Sequence, residues 1–349
     1  MADRSRLRHR LRAGLLIGLT LSTAAAVGGM ARAESPPPAG LPPGFQWSSS
    51  GLRDHPLVGR LWSTATRSFV PLAAFEDAMG RATFLLLGEV HDNPDAHALQ
   101  GWAVSVRAKR QPLPGVVFEH ITTRQQSALD ELDELKRSAG RPATPDDLFR
   151  LLEWKKGSWP SEDVFAPLFS SVLAANVPIY PASPPREQVR AVARGDKSQL
   201  SEDERVRLQL DAPMPQDLEQ SLAGELRGSH CGAIPEQAIG PMAIAQRYRD
   251  AAFADAMLAA ADKHGVAILI AGNGHVRTDR GVPWHLRARA PDKPIVSIMF
   301  LEVEEGQLEP DAYPPHDPAG KAAADFVLFT PRVERGDPCE GMTPARKKG

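Results

Sequence analysis

The chain has 349 residues, enough for one large domain or two ordinary ones, with a core that needs no metal or disulfide to be stable. Hydrophobic residues make up 42% of it, charged residues make up 24%, and the formal net charge is −2. This balance is typical of a globular protein. It lacks the basic excess of a nucleic-acid-binding surface, so nucleic acid is excluded as the expected partner.

The first 33 residues have the pattern of a secretory signal peptide. Five arginines between positions 4 and 12 precede an apolar run over 15–27, and Ala31-Arg-Ala33 forms an A-x-A cleavage site. The apolar run is short and rich in Ala, Gly and Thr, which disfavours a membrane span. No cysteine for lipid attachment follows the run. We therefore expect a periplasmic or secreted protein that is cleaved near Ala33.

The mature chain divides into a linker, one domain and a tail. Residues 34–55 are rich in Pro, Ser and Gly and predict a linker without a core of its own. Residues 56–335 predict a single domain, and 336–349 a tail. Cys231 and Cys339 can pair in an oxidising compartment and tie this tail to the domain; the alternative is two unrelated thiols.

Hydrophobic patterns predict strands that alternate with helices through the domain. In chain order they are a hairpin over 57–70, a helix over 71–79, a strand over 84–87, a helix over 94–109, a strand over 115–120, helices over 125–138, 145–154 and 165–175, a strand over 177–183, a helix over 241–264, and strands over 266–271, 295–303 and 325–330. This order predicts an α/β fold with a mostly parallel central sheet flanked by helices.

Two parts of this pattern have their own interpretation. The last two strands are joined without a helix, which predicts that they form an antiparallel edge near the C-terminus. The charged segment 185–229 predicts short polar helices, which form either a lid over the site or an unrelated peripheral excursion.

Three predicted strands end in acidic, amide or imidazole side chains. The residues concerned are Glu89, His91, Asp92, Glu119, His120, Asn273 and His275. Because the carboxyl ends of parallel strands share one edge of the sheet, we expect these side chains to line a single crevice. His97, six residues after His91, points either into this crevice or at the surface.

Imidazoles and carboxylates together suit two kinds of chemistry. They can hold zinc, manganese or non-haem iron, or they can act without a metal as general acid and base. The alternative is that these side chains form a hydrogen-bonded network with a structural role only. No nucleophile elbow, phosphate loop or dinucleotide fingerprint is present in the sequence.

Four motifs carry a resemblance to a known family. They are Leu-Leu-Gly-Glu-Val-His-Asp-Asn-Pro-Asp-Ala-His at 86–97, Ser-His-Cys-Gly at 229–232, Ala-Gln-Arg-Tyr-Arg-Asp at 245–250 and Gly-Asn-Gly-His-Val-Arg-Thr-Asp-Arg-Gly-Val-Pro at 272–283. Over roughly 57–303 the chain resembles the ChaN-like haem-binding uptake family, which is related to Tiki and TraB proteins and to erythromycin esterases. The resemblance implies a haem-binding envelope protein, a homodimer that shares haem, and envelope iron-uptake components as partners.

The resemblance also implies site residues. Haem would take its axial ligand from His91, His275 or Tyr248, with Arg249 and Arg277 as partners for its propionates. The alternative is a metal-dependent hydrolase of the Tiki and TraB type. In that reading a Zn or Mn site, or an acid–base site, is formed by Glu89, His91, Glu119 and His275. An enzyme is the less expected of the two, and a partner-binding protein with a vestigial crevice is a third alternative.

Overall fold

An eight-stranded mixed sheet forms the centre of the protein in a computed structural model, which describes residues 41–42, 44–337 and 339–340. The strands are β1 (Leu61–Ser63), β2 (Ser68–Val70), β3 (Phe84–Glu89), β4 (Gly115–Thr122), β5 (Ile179–Ser183), β6 (Ala267–Gly272), β7 (Ile295–Glu302) and β8 (Phe326–Thr330). Their order across the sheet is β2-β1-β8-β7-β3-β6-β4-β5. The six strands from β8 to β5 run parallel, which confirms the predicted fold class.

The predicted pairing of the last two strands is wrong. β7 and β8 are parallel, with register from Ile298 opposite Phe326 to Glu302 opposite Thr330. A parallel pair requires a crossover of a dozen or more residues, and the segment 303–325 is long enough to supply one without an α-helix. The antiparallel edge exists, but it is formed by the β1–β2 hairpin on β8.

Ten α-helices cover the sheet within the described part of the chain. They are α1 (Leu72–Arg81), α2 (Pro94–Ala108), α3 (Gln126–Ser138), α4 (Pro145–Leu151), α5 (Glu162–Ala174), α6 (Arg186–Ala193), α7 (Glu202–Leu208), α8 (Gln216–Ser229), α9 (Glu236–His264) and α10 (Val282–Arg289). None of the described helices is long and apolar enough to cross a bilayer.

The two faces of the sheet bury alternate residues of each strand. Leu85 and Leu87 of β3 pack on the face covered by α1, α2, α4 and α5, whereas Phe84 and Leu86 pack on the face covered by α9 and α10. This alternation follows from the two-residue period of a strand. It also decides on which face each polar side chain lies where a strand ends.

The start of α2 is fixed by its own sequence. The Asn93 side chain accepts hydrogen bonds from the N–H groups of Asp95 and Ala96 at 2.9 and 3.0 Å, and Pro94 occupies the first helical position. This cap sets the helical phase that turns His97 and Gln100 toward β3.

Both ends of the described part of the chain lie against this domain. Phe45 and Trp47, which belong to the segment predicted as a linker, pack on the core, and the Asp95 carboxylate accepts the Ser48 N–H at 2.6 Å. The predicted disulfide is present: Cys339 is bonded to Cys231, just beyond α8. The predicted signal peptide and residues 341–349 lie outside the described residues.

Candidate functional site

Two clusters of polar side chains meet at the carboxyl ends of β3, β6 and β4, which are neighbours in the sheet. Glu89 ends β3 and faces the α2 and α5 side, together with His120 of β4. Glu119 of β4 faces the α9 side, because successive strand residues point to opposite faces. The predicted crevice therefore contains one cluster on each face of the sheet.

The first cluster, here called the Glu89 cluster, consists of Glu89, His91, His97 and His120. The Glu89 Oε1 atom lies 2.8 Å from both His91 Nδ1 and His120 Nε2, and its Oε2 atom lies 3.2 Å from His97 Nδ1. Burial alone would raise the pKa of Glu89. The His97 charge and the hydrogen bonds from His120 and His91 outweigh burial and hold that pKa well below its usual range.

The hydrogen bonds of His97 identify its protonation state. The Gln100 amide donates to the Leu87 carbonyl at 3.0 Å, so its oxygen is the atom that faces His97 Nδ1, also at 3.0 Å. His97 Nε2 lies 3.0 Å from the His91 carbonyl. Both ring nitrogens therefore face acceptors and both carry protons. Although burial opposes it, Glu89 raises the pKa of His97, which agrees with a buried imidazolium.

His120 is enclosed by aromatic rings. Its ring centroid lies 4.5 Å from that of Trp159 and 4.8 Å from that of Phe165. Burial lowers its pKa despite the nearby Glu89 charge. Its Nδ1 atom is buried and has no hydrogen-bond partner among the described residues. His120 is therefore a neutral imidazole that uses one nitrogen only.

His91 is the one histidine of the Glu89 cluster that reaches solvent. Its side chain is 40% exposed, and its Nδ1 atom is held by Glu89. Burial of the rest of the ring opposes the charged form, but the hydrogen bond that His91 donates to Glu89 raises the pKa of His91 overall. No group in the described ranges hydrogen-bonds its Nε2 atom, and the ring lies edge-on to Trp159, with centroids 5.0 Å apart.

The second cluster, here called the Glu119 cluster, consists of Glu119, Arg249, Asp250 and His275. His275 Nδ1 lies 2.6 Å from Asp250 Oδ1, and its Nε2 lies 3.3 Å from Glu119 Oε1. Glu119 also accepts the Gly272 N–H at 2.8 Å and a hydrogen bond from Arg249. Burial opposes protonation of His275, but the two carboxylates raise its pKa to about 9.

Gly272 is the point of contact between the clusters. A Cβ atom there would lie 3.0 Å from His91 Cε1 and 3.7 Å from Glu119 Oε2. The absence of a side chain at this position allows the His91 ring to approach the end of β6. The two clusters are therefore adjacent across Gly272.

Two predicted haem contacts lie elsewhere. Tyr248 is buried on another side of α9, where it packs with Val192 and Leu208. Arg277 is buried and already paired, because it donates to Asp279 at 2.6 and 2.9 Å and to Glu225 at 3.2 Å. Neither side chain joins the Glu89 or the Glu119 cluster.

Two more residues that were predicted to line the crevice, Asp92 and Asn273, bond elsewhere. Asp92 accepts two hydrogen bonds from Arg335 at 2.7 and 2.8 Å, and Asn273 donates to the Phe300 carbonyl at 3.0 Å. Both contacts tie the strand-end loops to β7 and to the segment after β8. These side chains hold the loops around the crevice in place and belong to neither cluster.

Two residues of the site, Asp250 and Trp159, were not among the predicted site residues. Asp250 bonds to His275, 25 residues away in sequence. Trp159 donates to the His120 carbonyl at 3.1 Å and contacts the His91 ring. The Gln-Arg-Tyr-Arg-Asp motif was a signal for Asp250, whereas nothing in the pattern around Trp159 pointed to the crevice.

One set of side chains has the spacing of metal ligands. Ligand atoms of Glu89, His91 and His120 all lie within 4.8 Å of one another. The Glu89 Oε2 atom is buried with His97 Nδ1 3.2 Å away, so an ion bound at this oxygen would compete with the His97 imidazolium. This set differs from the predicted one, since His120 replaces Glu119 and His275. The donor types fit zinc or manganese.

Comparisons with solved structures identify one that shares this fold. ChaN of Campylobacter jejuni, in a structure described as cofacial haem binding, is 18% identical, with a TM-score of 0.59 over 77% of this chain and 95% of that one. A Bacillus cereus protein (13% identical, 75% and 91% coverage) and a mutant erythromycin esterase in its open conformation (14%, 85% and 86%) both have TM-scores of 0.38, too low to support an inference. No curated protein sequence matches this chain.

A sequence family described as haem-binding uptake, Tiki superfamily, ChaN, matches residues 75–286. That range is more than half of the chain and contains both clusters. It begins in α1 and ends in α10, so it includes β3 and β4, which carry Glu89 and Glu119, and the loop after β6, which carries His275. This protein belongs to the ChaN family of haem-binding uptake proteins within the Tiki superfamily.

Proposed function

We propose that this protein is an exported haem-binding protein that acts in haem or iron uptake. Family membership supports haem as the ligand. Export is supported by the signal-peptide pattern of residues 1–33 and by the Cys231–Cys339 disulfide, a bond that persists in oxidising compartments. The observation that carries the proposal is the environment of His91.

His91 has the properties of an axial ligand. An imidazole that ligates haem iron presents one nitrogen to the metal, while its other N–H donates to a carboxylate or carbonyl that fixes the ring. His91 has Nδ1 on Glu89, 2.8 Å away, and a half-exposed ring. His275 is buried with both nitrogens on carboxylates, and Tyr248 is buried outside the crevice. Of the three predicted ligands, His91 fits best.

Two further side chains would complete a haem site. Trp159 lies edge-on to the His91 ring at 5.0 Å and offers an aromatic surface at the crevice. Arg249 is the predicted propionate partner that reaches solvent, with a side chain 30% exposed. When bound, haem would be the source of the iron that the protein carries. The residues of the chain would hold the ring, neutralise its carboxylates and exclude water.

The test is a haem titration of the purified protein, followed by the Soret band. We expect a saturable, red-shifted band at micromolar haem, lost in His91→Ala and kept in His264→Ala. His264 is a suitable control because it lies at the opposite, amino-terminal end of the sheet, bonded to Tyr180. A spectrum indistinguishable from free haem would refute the proposal. Size exclusion at the end point tests whether haem binding produces a homodimer.

A second candidate function is metal-dependent hydrolysis, and one observation favours it. Glu89, His91 and His120 would hold the ion, as their mutual distances allow. A bound zinc or manganese ion would supply Lewis-acid activation of a carbonyl and of water. The Glu119 cluster, with a protonated His275, would provide a proton donor at the same crevice.

Thermal melting in added zinc or manganese tests this candidate. A ligand at one hundred times its Kd stabilises the native state by about 2.7 kcal/mol. We expect this gain to disappear in His120→Phe, which should still bind haem, and to persist in His275→Gln. Unchanged melting of the unmodified protein in both metals would remove the candidate.

A further inference from the structure

A second cavity lies away from the crevice. It has a volume of 380 Å³ and is formed by the end of α6, the loop over 209–213, α9 and α10. The side chains that matter for its chemistry are Val192, Leu210, Ile244, Arg247, Tyr248 and His285. Small-molecule sites typically have volumes of about 300–1,000 Å³, so this cavity is large enough to hold one.

The walls of the cavity are largely apolar. Val192 is buried, and Tyr248 presents its ring with only 3% of the residue exposed. Ile244 is 42% exposed, although most large aliphatic residues of the described chain are covered. A half-exposed isoleucine at this cavity indicates a surface that the apolar part of a ligand can cover.

Two buried nitrogen atoms at the cavity lack partners. His285 is 3% exposed and its Nε2 atom has no hydrogen bond within the described residues, and Arg247 Nε is likewise buried without one. The Tyr248 hydroxyl also bonds to none of the described groups, and burial raises its pKa. A buried polar group without a partner costs about 1–3 kcal/mol, so these two nitrogen atoms at one cavity indicate that a polar ligand completes them.

The field at His285 is positive. Burial, followed by the charges of Arg247 and Arg289, lowers its pKa to about 3, so its ring is neutral. Arg289 and Arg207 share a single carboxylate, that of Asp255, at 2.6 and 3.1 Å. This sharing leaves one guanidinium charge without a full counter-charge.

The remaining charges near the cavity offset this field only in part. Arg247 donates to the Ala212 carbonyl, and its nearest carboxylate, Glu219, is half exposed and 3.9 Å away. Lys197 and Asp211 neutralise each other. Glu204, which lies near Tyr248, is engaged in the cap of α7. The acceptor that suits this cavity is therefore an anion.

We propose that this cavity binds a small amphipathic carboxylate, with its carboxylate at Arg247, Tyr248 and His285 and its apolar body against Val192, Leu210 and Ile244. Arg247 would donate a charge-assisted hydrogen bond, and the Tyr248 hydroxyl a second. The site is separate from the His91 crevice. Its occupancy does not depend on haem.

Calorimetric titration of the full chain with octanoate tests the proposal, with 1-octanol and acetate as matched probes. Octanoate should bind at least tenfold more tightly than either, because octanol lacks the charge and acetate lacks the chain. Arg247→Gln should weaken octanoate about tenfold or more, and Tyr248→Phe several-fold. Arg150→Gln, which changes an arginine at a different cavity, should have no effect.

Three outcomes would overturn the proposal. They are equal affinity for octanoate and octanol, no binding of octanoate, or equal effects of Arg247→Gln and Arg150→Gln. Because Arg247 also bonds to the 209–213 loop, Ile244→Gln provides a second variant at an exposed position that leaves this bond intact. It should weaken octanoate and leave the haem spectrum unchanged. A loss of haem binding with normal octanoate binding would refute the proposed function alone.

Discussion

The Glu89 and Glu119 clusters each stabilise a buried carboxylate, but with different partners. Each places a carboxylate at a strand end where it is almost completely buried. The described partners of Glu89 are imidazoles, whereas Glu119 is bonded to a guanidinium, an imidazolium and the Gly272 backbone N–H. A guanidinium keeps its charge at any physiological pH, but an imidazole can lose its proton or bind a metal.

This difference assigns different roles to the two clusters. Protons of the Glu89 cluster can be exchanged for a metal or for haem iron at His91, since the partners of Glu89 are imidazoles. The Glu119 cluster has fixed charge from Arg249 and a strongly held proton on His275. We infer that the Glu89 cluster binds the ligand and that the Glu119 cluster sets the electrostatic environment of the crevice.

Removal of the Glu89 carboxylate should have the largest effect on stability. Glu89→Ala leaves the imidazolium of His97 buried without its counter-charge, which typically costs about 3–5 kcal/mol. Urea unfolding at pH 7, followed by circular dichroism, measures this cost. In the double variant Glu89→Ala/His97→Gln, part of it should be recovered, with a coupling energy above about 1 kcal/mol. Strictly additive losses would show that the two side chains do not form a charge pair.

The pH dependence of stability should identify the Glu119 cluster. The pKa of His275 is about 9 in the folded state and about 6.5 when unperturbed. The folded state therefore holds this proton more tightly, so the stabilisation is complete below pH 6.5 and is lost as pH rises through 9. The loss should be of the order of 3 kcal/mol. His275→Gln should abolish this part of the slope; an unchanged slope would assign it to other groups.

A smaller effect should come from the residue that fixes the His97 ring. Gln100→Met removes the acceptor of His97 Nδ1–H, and a lost hydrogen bond to a charged group costs about 1.5–3 kcal/mol. Nitrogen NMR of labelled histidine should detect two protonated ring nitrogens on His97 at pH 7 in the unmodified protein. The variant should lose this doubly protonated signal near neutral pH. Its retention would mean that Glu89 alone holds the second proton.

Much of the fold follows from local sequence signals. Apolar runs such as Phe84–Leu87 and Val266–Ala271 predict buried strands, and three polar strand ends predict one crevice at the shared edge. The two-residue period could also have placed Glu119 and His120 on opposite faces. The pairing of β7 with β8 could not be derived, because strand direction depends on the path of a long connection and not on either strand.

The partners across the crevice were the least predictable part. Asp250 lies on α9, and its contact with His275 depends on how that helix rotates against β6, which is set by the packing of Phe253 and Met257. Tyr248 was predicted as an axial haem ligand only because it lies in one of the family motifs. Two residues along a helix turn a side chain by about 200°, so Tyr248 and Asp250 face different neighbours.

The smallest expected change in stability concerns Arg249, and it separates structural support from ligand binding. Its side chain is 30% exposed, so solvent screens its pair with Glu119, and Arg249→Gln should cost about 1 kcal/mol or less. Glu119 would keep the Gly272 N–H and His275 as partners. If Arg249 binds a propionate, haem affinity should nevertheless fall about tenfold, as expected for a lost charge-assisted contact. Equally small effects on unfolding and on the haem titration would restrict Arg249 to the Glu119 cluster and leave His91 as the principal contact with haem.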